Sequence, residues 1–250
     1  DYNDVEVGKA AVELLERLGY QVAIPRHKES ARTYLSKGLL KEAKKLAIEN
    51  VTLLKDVVTA ETPLVGIEPS AILSFRDEYL SLVPREMKPE AEALAKNCFL
   101  IEEFLANELA KGHLRREQFT GEKRLVKLHG HCHQKALSSL VPVKKILSLP
   151  QHYSVELIPS GCCGMAGSFG YEKEHYGVSQ QIGELVLFPT VRKQGPDVII
   201  CAPGTSCRHQ IKDGTGRTAL HPVQILLQAL RQPGEALPAG NLVGEVAHRE

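Results

Sequence analysis

Three observations predict an α/β fold of two pseudo-repeated β-α-β units, with parallel sheets flanked by helices. Short apolar runs of strand length alternate with longer stretches of helical periodicity. Turn-forming residues separate the two kinds of segment, and the two halves of the chain echo each other. The 250 residues suffice for one large domain or for two of about 100–125 residues.

Val7, Ala10, Ala11, Leu14, Leu15 and Leu18 make a helical stripe over residues 5–18, stopped by Gly19. Gln21-Val22-Ala23-Ile24 reads as a short strand ended by Pro25. Ser36 is placed as the N-cap of a helix reaching about Val58, with its stripe on Leu39, Leu40, Ala43, Leu46, Ala47, Val51, Leu54 and Val57. Leu64-Val65-Gly66-Ile67 is a buried strand closed by Pro69, and residues 82–90, with Pro84 and Pro89, read as a link. Residues 91–111 predict one helix that buries Leu94, Cys98, Ile101, Phe104, Leu105 and Leu109 and ends at Gly112. The alternation then restarts, with strands over 125–128, 155–158 and 197–200 and helices over 134–147, 172–191 and 222–230.

The echo sets Ser36-Lys37-Gly38 against Ser168-Phe169-Gly170, and Glu68-Pro69-Ser70-Ala71 against Gly204-Thr205-Ser206-Cys207. It divides the chain into a first repeat over 1–84, a linking helix over 85–121, a second repeat over 122–231 and a loose tail over 232–250.

Chemistry concentrates in the second repeat. Five of the six cysteines fall within residues 132–207, each in a turn-like setting or at a strand end. Cys162 and Cys163 are adjacent inside Ser160-Gly161-Cys162-Cys163-Gly164-Met165-Ala166-Gly167-Ser168, where glycines let both thiols turn toward one object. Cys132 lies in His129-Gly130-His131-Cys132-His133-Gln134, and Cys207 in Cys201-Ala202-Pro203-Gly204-Thr205-Ser206-Cys207-Arg208-His209. All three segments follow strands, and in a doubly wound sheet ligands collect where loops leave the carboxyl ends of strands. Four thiolates can hold one zinc or one iron–sulfur cluster. Backbone N–H groups of the 161–170 loop would offset the negative charge, and His129, His131, His133 and His209 would hydrogen-bond the sulfurs. Among these, His131 and His133 are the first candidates to replace a lost cysteine. Buried inert thiols remain the alternative, since the spacing contains neither a zinc-finger C-x-x-C pair nor a ferredoxin run. Cys98 reads as core, Arg208 and Lys135 as solvated charges, and Asp77-Glu78 and Glu172-Lys173-Glu174 as wet helix faces.

The formal net charge of +1 leaves no electrostatic footprint for nucleic acid or an anionic membrane. No apolar run approaches the roughly 20 residues of a membrane span. Six cysteines in 250 residues do not suggest a disulfide scaffold, so reduced thiols in the cytoplasm are expected. The opening Asp1-Tyr2-Asn3-Asp4 has neither an initiator methionine nor a signal peptide, so a fragment is expected.

Cys132, Cys162-Cys163-Gly164 and Ser206-Cys207 together resemble the cysteine-rich "CCG" domain of iron–sulfur oxidoreductases. That domain occurs in the iron–sulfur subunits of glycolate oxidase and anaerobic glycerol-3-phosphate dehydrogenase, and in one of the subunits of heterodisulfide reductase. The fuller wording around these cysteines is similar to the C-terminal part of FAD-linked oxidases of the D-lactate/D-2-hydroxyglutarate dehydrogenase type. The resemblance spans about residues 5–230. It implies an iron–sulfur (4Fe-4S) or zinc site on Cys132, Cys162, Cys163 and Cys207, with His131, Gly161, Gly164 and His209 around it. It also implies an FAD-binding domain and a ferredoxin-like cluster segment, on the same full-length chain or a separate subunit. Placement at the membrane periphery and homo-oligomerisation both stay open. The family's first repeat is commonly degenerate, which fits Glu29-Ser30-Ala31 and Ala71 in the cysteine positions. One departure is specific: the family pattern ends in C-x-x-C, and Gly204 stands where its first cysteine would be. Cys201 comes three residues too early; it is assigned to the strand, with ligation left as the alternative in which the loop folds back. The expected function is electron transfer within an FAD-linked 2-hydroxyacid oxidoreductase, inactive on substrate by itself. A structural zinc domain that docks a flavoprotein and a thiol–disulfide reductase module are the alternatives.

Overall fold

A computed structural model describes residues 3–232; the tail expected over 232–250 lies, but for its first residue, outside the described residues. Two parallel sheets carry the fold. In the first, β1 (Leu64–Gly66) pairs with β2 (Cys98–Leu100). In the second, β3 (Arg124–Leu128) lies between β4 (Tyr153–Leu157) and β5 (Ile199–Cys201). Parallel pairing demands crossovers, and helices supply them, so the α/β architecture expected from the alternation is what forms.

The first helix, Val5–Arg17, buries Val7, Ala10, Ala11, Leu14 and Leu15, as its stripe predicts. It packs on the last helix, Pro222–Ala229, so the two ends of the described chain share one core with Ile101, Leu105, Ile146 and Leu149. A second core beneath β1 and β2 gathers Val51, Leu54, Leu73, Phe75, Tyr79 and Leu94. A third, built from Ile158, Leu187, Phe188, Val191, Ile200 and Ile211, backs the cysteine loops and includes Cys163 and Cys207.

Several elements differ from expectation for identifiable reasons. Residues 20–30 form no strand: Val22 packs on the first core, but Ile24, two residues on and of the same strand face, is 75% exposed, so the run has no continuous face to bury. The helix expected from Ser36 is two, Arg32–Ser36 and Leu40–Leu54, separated at Gly38, whose φ of 72° a helix cannot hold. Ser36 is therefore an end rather than a cap, and its hydroxyl donates to the Thr33 carbonyl.

The largest difference is in residues 91–111. Helices Lys88–Lys96 and Ile101–Ala110 flank strand β2, which supplies half of the first sheet. Cys98-Phe99-Leu100 is too short an apolar run for its period to be read, and Cys98 is core as expected, but from a strand. Helix 134–147 is likewise divided, into Cys132–Leu137 and Val141–Leu147, with Pro142 in the first turn of the second piece. Helix 172–191 breaks at Val186 into Tyr176–Leu185 and Leu187–Arg192. The helix Thr205–Thr215 was not expected, because its residues offer no apolar stripe.

Buried polar groups join the halves. His221, fully buried, accepts from Val223 N on Nδ1, so its neutral form donates from Nε2 to the Ile67 carbonyl at 2.9 Å. Glu102 lies 3.8 Å from that imidazole, 1% exposed. Burial pushes the Glu102 carboxyl up to about 8 and the His221 imidazole down to about 3, so near neutrality the contact is between uncharged groups rather than an ion pair. A carboxyl raised in the fold stabilises fully below its unfolded pKa and loses that contribution as pH climbs toward the folded value. Glu102→Gln is therefore expected to leave stability at pH 4.5 nearly unchanged and to raise it by about 2–4 kcal/mol near pH 8. Thermal unfolding at the two pH values checks this, and an equal effect at both would contradict it.

Candidate metal centre

The carboxyl ends of β3, β4 and β5 lie level, and each delivers one cysteine segment. Leu128 pairs with Leu157 on one side and Cys201 on the other. The ladder runs one bond further on each side, through Ile158 N to Leu128 O and His129 N to Cys201 O, both 2.8 Å. Beyond that bond the chain is free to turn. Cys132 opens the helix Cys132–Leu137, Cys162 and Cys163 occupy the loop after β4, and Cys207 sits in the first turn of Thr205–Thr215.

The four thiols stand in one row, Cys132 beside Cys162, Cys162 beside Cys163 and Cys163 beside Cys207, each acting on the ionisation of the next. Cys132 is exposed, Cys162 half-buried, and Cys163 and Cys207 buried. Donors and acceptors alternate along it. The S–H groups of Cys132 and then Cys163 hold the Cys162 thiol well below the usual thiol range. Cys163 does the same for Cys207, and the His129 imidazole stands beside that same sulfur. The donors Cys132 and Cys163 are pushed up by those same bonds and by burial. Gly164 N donates to Cys162 Sγ at 3.3 Å, and the Ala166 amide adds to it. Clustered thiolates fed by backbone N–H groups are a donor set suited to a soft metal or an iron–sulfur cluster. All six cysteines are free thiols, and Cys201 is buried in β5 facing the core, away from the row.

The surrounding groups divide by position. His131 is 6% exposed and caps its own helix, Nδ1 accepting from His133 N at 3.2 Å, with Nε2 3.7 Å from Glu68 Oε1. His133 faces the first half, 4.0 Å from Glu78, whose charge is taken by Arg32. Gly164 lies inside the site; Gly161 lies at its edge, its carbonyl accepting from Lys135 at 2.5 Å. His209 is at the rim, on the Tyr171 hydroxyl at 2.8 Å. His129 is fully buried, Nδ1 2.7 Å from Ser160 Oγ, and its Nε2 has no hydrogen-bond partner. His129, Cys163 and Cys207 place one ligand atom each within 4.8 Å of one another.

Of the two charges read as solvated, Arg208 is not: it is 8% exposed, bonded to the Ala202 and Pro203 carbonyls and paired with Asp4. Lys135 is exposed, and its ammonium clamps the cysteine loop through the Ser160 and Gly161 carbonyls. Glu172 is not on a helix; it pairs with Lys37 of the first half. Sequence reasoning also missed Glu68, which reaches across from the first half to accept the Thr205 amide at 2.8 Å while holding Ser70. The echo that set Glu68 against Gly204 was the available signal, since both residues cap helices at the site.

Gly164 and Gly161 provide a contrast within one loop. Gly164 has φ 105°, and a Cβ there would meet the Ser179 carbonyl oxygen at 2.2 Å; a Cβ on Gly161 would meet nothing within 4 Å. Gly164→Ala is expected to cost about 2–4 kcal/mol from strain and overlap combined. Gly161→Ala is expected to change stability by less than about 1 kcal/mol. Chemical denaturation of both variants checks the ordering.

Residues 126–212 match the family model of the cysteine-rich domain, CCG. The chain is 29% identical over 231 residues to D-2-hydroxyglutarate dehydrogenase of Escherichia coli K12, covering 92% of this chain and 22% of that protein. It is 27% identical over 232 residues to one subunit of the anaerobic glycerol-3-phosphate dehydrogenase of the same organism, covering 92% of this chain and 57% of that polypeptide. It is also 27% identical over 238 residues to lactate utilization protein A of an Exiguobacterium strain, covering 90% of this chain and 92% of that protein. The chain thus spans about a fifth of the first relative and over half of the second. The segment that carries the sulfur row thus matches the cysteine-rich CCG family model, and the proteins similar to the chain include dehydrogenases.

Proposed function

We propose that Cys132, Cys162, Cys163 and Cys207 hold an iron–sulfur cluster of the 4Fe-4S type. The chain then acts as the electron-transfer module of an FAD-linked 2-hydroxyacid oxidoreductase of the D-lactate/glycolate kind. One observation carries the reading: the level carboxyl ends of β3, β4 and β5 deliver three loops whose four thiols stand beside one another. A bound cluster supplies one-electron redox chemistry. The chain's own residues hold the sulfurs, donate N–H bonds that stabilise their charge, and bury Cys163 and Cys207 away from water. Exposed Cys132 leaves one end of the row at the surface, where electrons can enter or leave. Support for flavin and ferredoxin-like partners comes from relatives named as dehydrogenases that are longer than this chain. The first half is read as a degenerate repeat without ligands of its own, and the setting as cytoplasmic; no helix among the described residues is long and apolar enough to cross a membrane.

The compactness of His129, Cys163 and Cys207 favours a second reading, a mononuclear zinc that only stabilises the fold. Metal analysis after anaerobic reconstitution separates the two. Iron and labile sulfide in stoichiometric amounts, with a brown colour that dithionite bleaches, are expected. Cys163→Ser is expected to lower the iron at least twofold, and Cys98→Ser to leave it unchanged. A colourless protein loaded with zinc supports the second reading, and a chain that takes up neither metal sinks both.

A further inference from the structure

The sulfur row has an unequal surround, and one imidazole in it lacks any hydrogen-bonding role on one side. Gly204 contributes no side chain at a point where its Cβ would stand 3.3 Å from Cys207 Sγ. That space is filled by the ring of His131, 2.3 Å from the same Cβ position. His131 is nevertheless unsuited to bind a metal there. Its Nδ1 accepts the His133 amide, so the neutral ring carries its proton on Nε2, pointed toward Glu68.

His129 has the opposite arrangement. It is 0% exposed, and Nδ1 meets the Ser160 hydroxyl at 2.7 Å. In the tautomer that donates from Nδ1 to Ser160, Nε2 holds a lone pair on the side of the Cys207 sulfur, and no hydrogen bond of ordinary geometry satisfies it. An unpartnered nitrogen in a sealed position is costly unless something binds it. A nitrogen of the His129 ring lies within 4.8 Å of both buried sulfurs. A ring nitrogen anchored by a hydrogen bond while its opposite nitrogen faces the ligand set is how proteins orient metal-bound imidazoles.

We propose that His129 Nε2 is a metal ligand of this centre, alongside the sulfurs of Cys163 and Cys207, making it a mixed sulfur–nitrogen site. His131 is the positioning group that fills the space beside Gly204. The proposal rests on the reading that the cysteines hold a metal, and it applies to a cluster or to zinc. On a 4Fe-4S cluster, which offers four terminal ligand positions, the neutral imidazole would take the place of one of the four thiolates, which raises the reduction potential relative to an all-thiolate set.

The test uses the full chain labelled with 15N-histidine and loaded with whichever metal it takes. Pulsed electron paramagnetic resonance of the reduced cluster, or X-ray absorption if the metal is zinc, reads directly bound nitrogen. One strongly coupled or directly bonded imidazole nitrogen is expected in the parent protein and in His131→Ala. It should be lost in His129→Cys, which supplies a sulfur in its place, keeps the metal and lowers the potential of a cluster. Full metal content with no bound nitrogen, or a bound nitrogen lost in His131→Ala, overturns the assignment while leaving the metal centre standing. Absence of metal from the parent protein overturns both.

Discussion

The site depends on the register of β3 between its two parallel neighbours. Leu128 is opposite Leu157 and Cys201, and one further bond on each side fixes His129 and Ile158 at the end of the ladder. Parallel hydrogen bonds are evenly spaced, so all three strands stop at one level and their loops rise from the same edge. Slipping one strand by a residue would move its loop by about 3.3 Å and reverse which face each side chain takes. The apolar inner faces of Val126, Leu128, Val155 and Ile200, all buried, oppose that slip. The sulfur row is thus a consequence of core packing below it.

A second layer of constraint comes from the first half, which walls the site. Glu68 closes the start of the Thr205–Thr215 helix, Asp4 pairs with buried Arg208 one residue from Cys207, and Lys37 reaches Glu172. A carboxylate at a helix start satisfies an amide the helix itself cannot, and it meets the favourable end of the helix dipole. Arg208 is held by two carbonyls as well as by its ion pair, so removing Asp4 would strand a nearly buried charge, a loss of about 3–5 kcal/mol in comparable cases.

Within the row, geometry decides which sulfurs carry charge. Donors and acceptors alternate, so the site favours negative charge on Cys162 and Cys207 without four thiolates repelling one another. The left-handed turns at Gly164, Ala166 and Gly167 bend backbone amides toward Cys162. The burial gradient, from exposed Cys132 to buried Cys207, gives the centre one face toward solvent and one toward the apolar core.

Local information in the sequence was enough for the alternation of strands and helices, the end-of-strand placement of the cysteines, and their gathering at one edge. Each of these follows from period, turn residues and the handed rules of parallel sheets, which act over short stretches. The assignment of Cys201 to its strand, and of Cys98 to the core, was legible for the same reason. Tertiary structure decided the rest. Whether 98–100 continues a helix or pairs with β1 depends on a partner more than thirty residues away. The burial of Arg208, the reach of Glu68 and the choice of His129 over His131 as the imidazole with a free nitrogen depend on contacts among distant segments. A histidine's role is set by what each ring nitrogen meets, and no spacing along the chain records that.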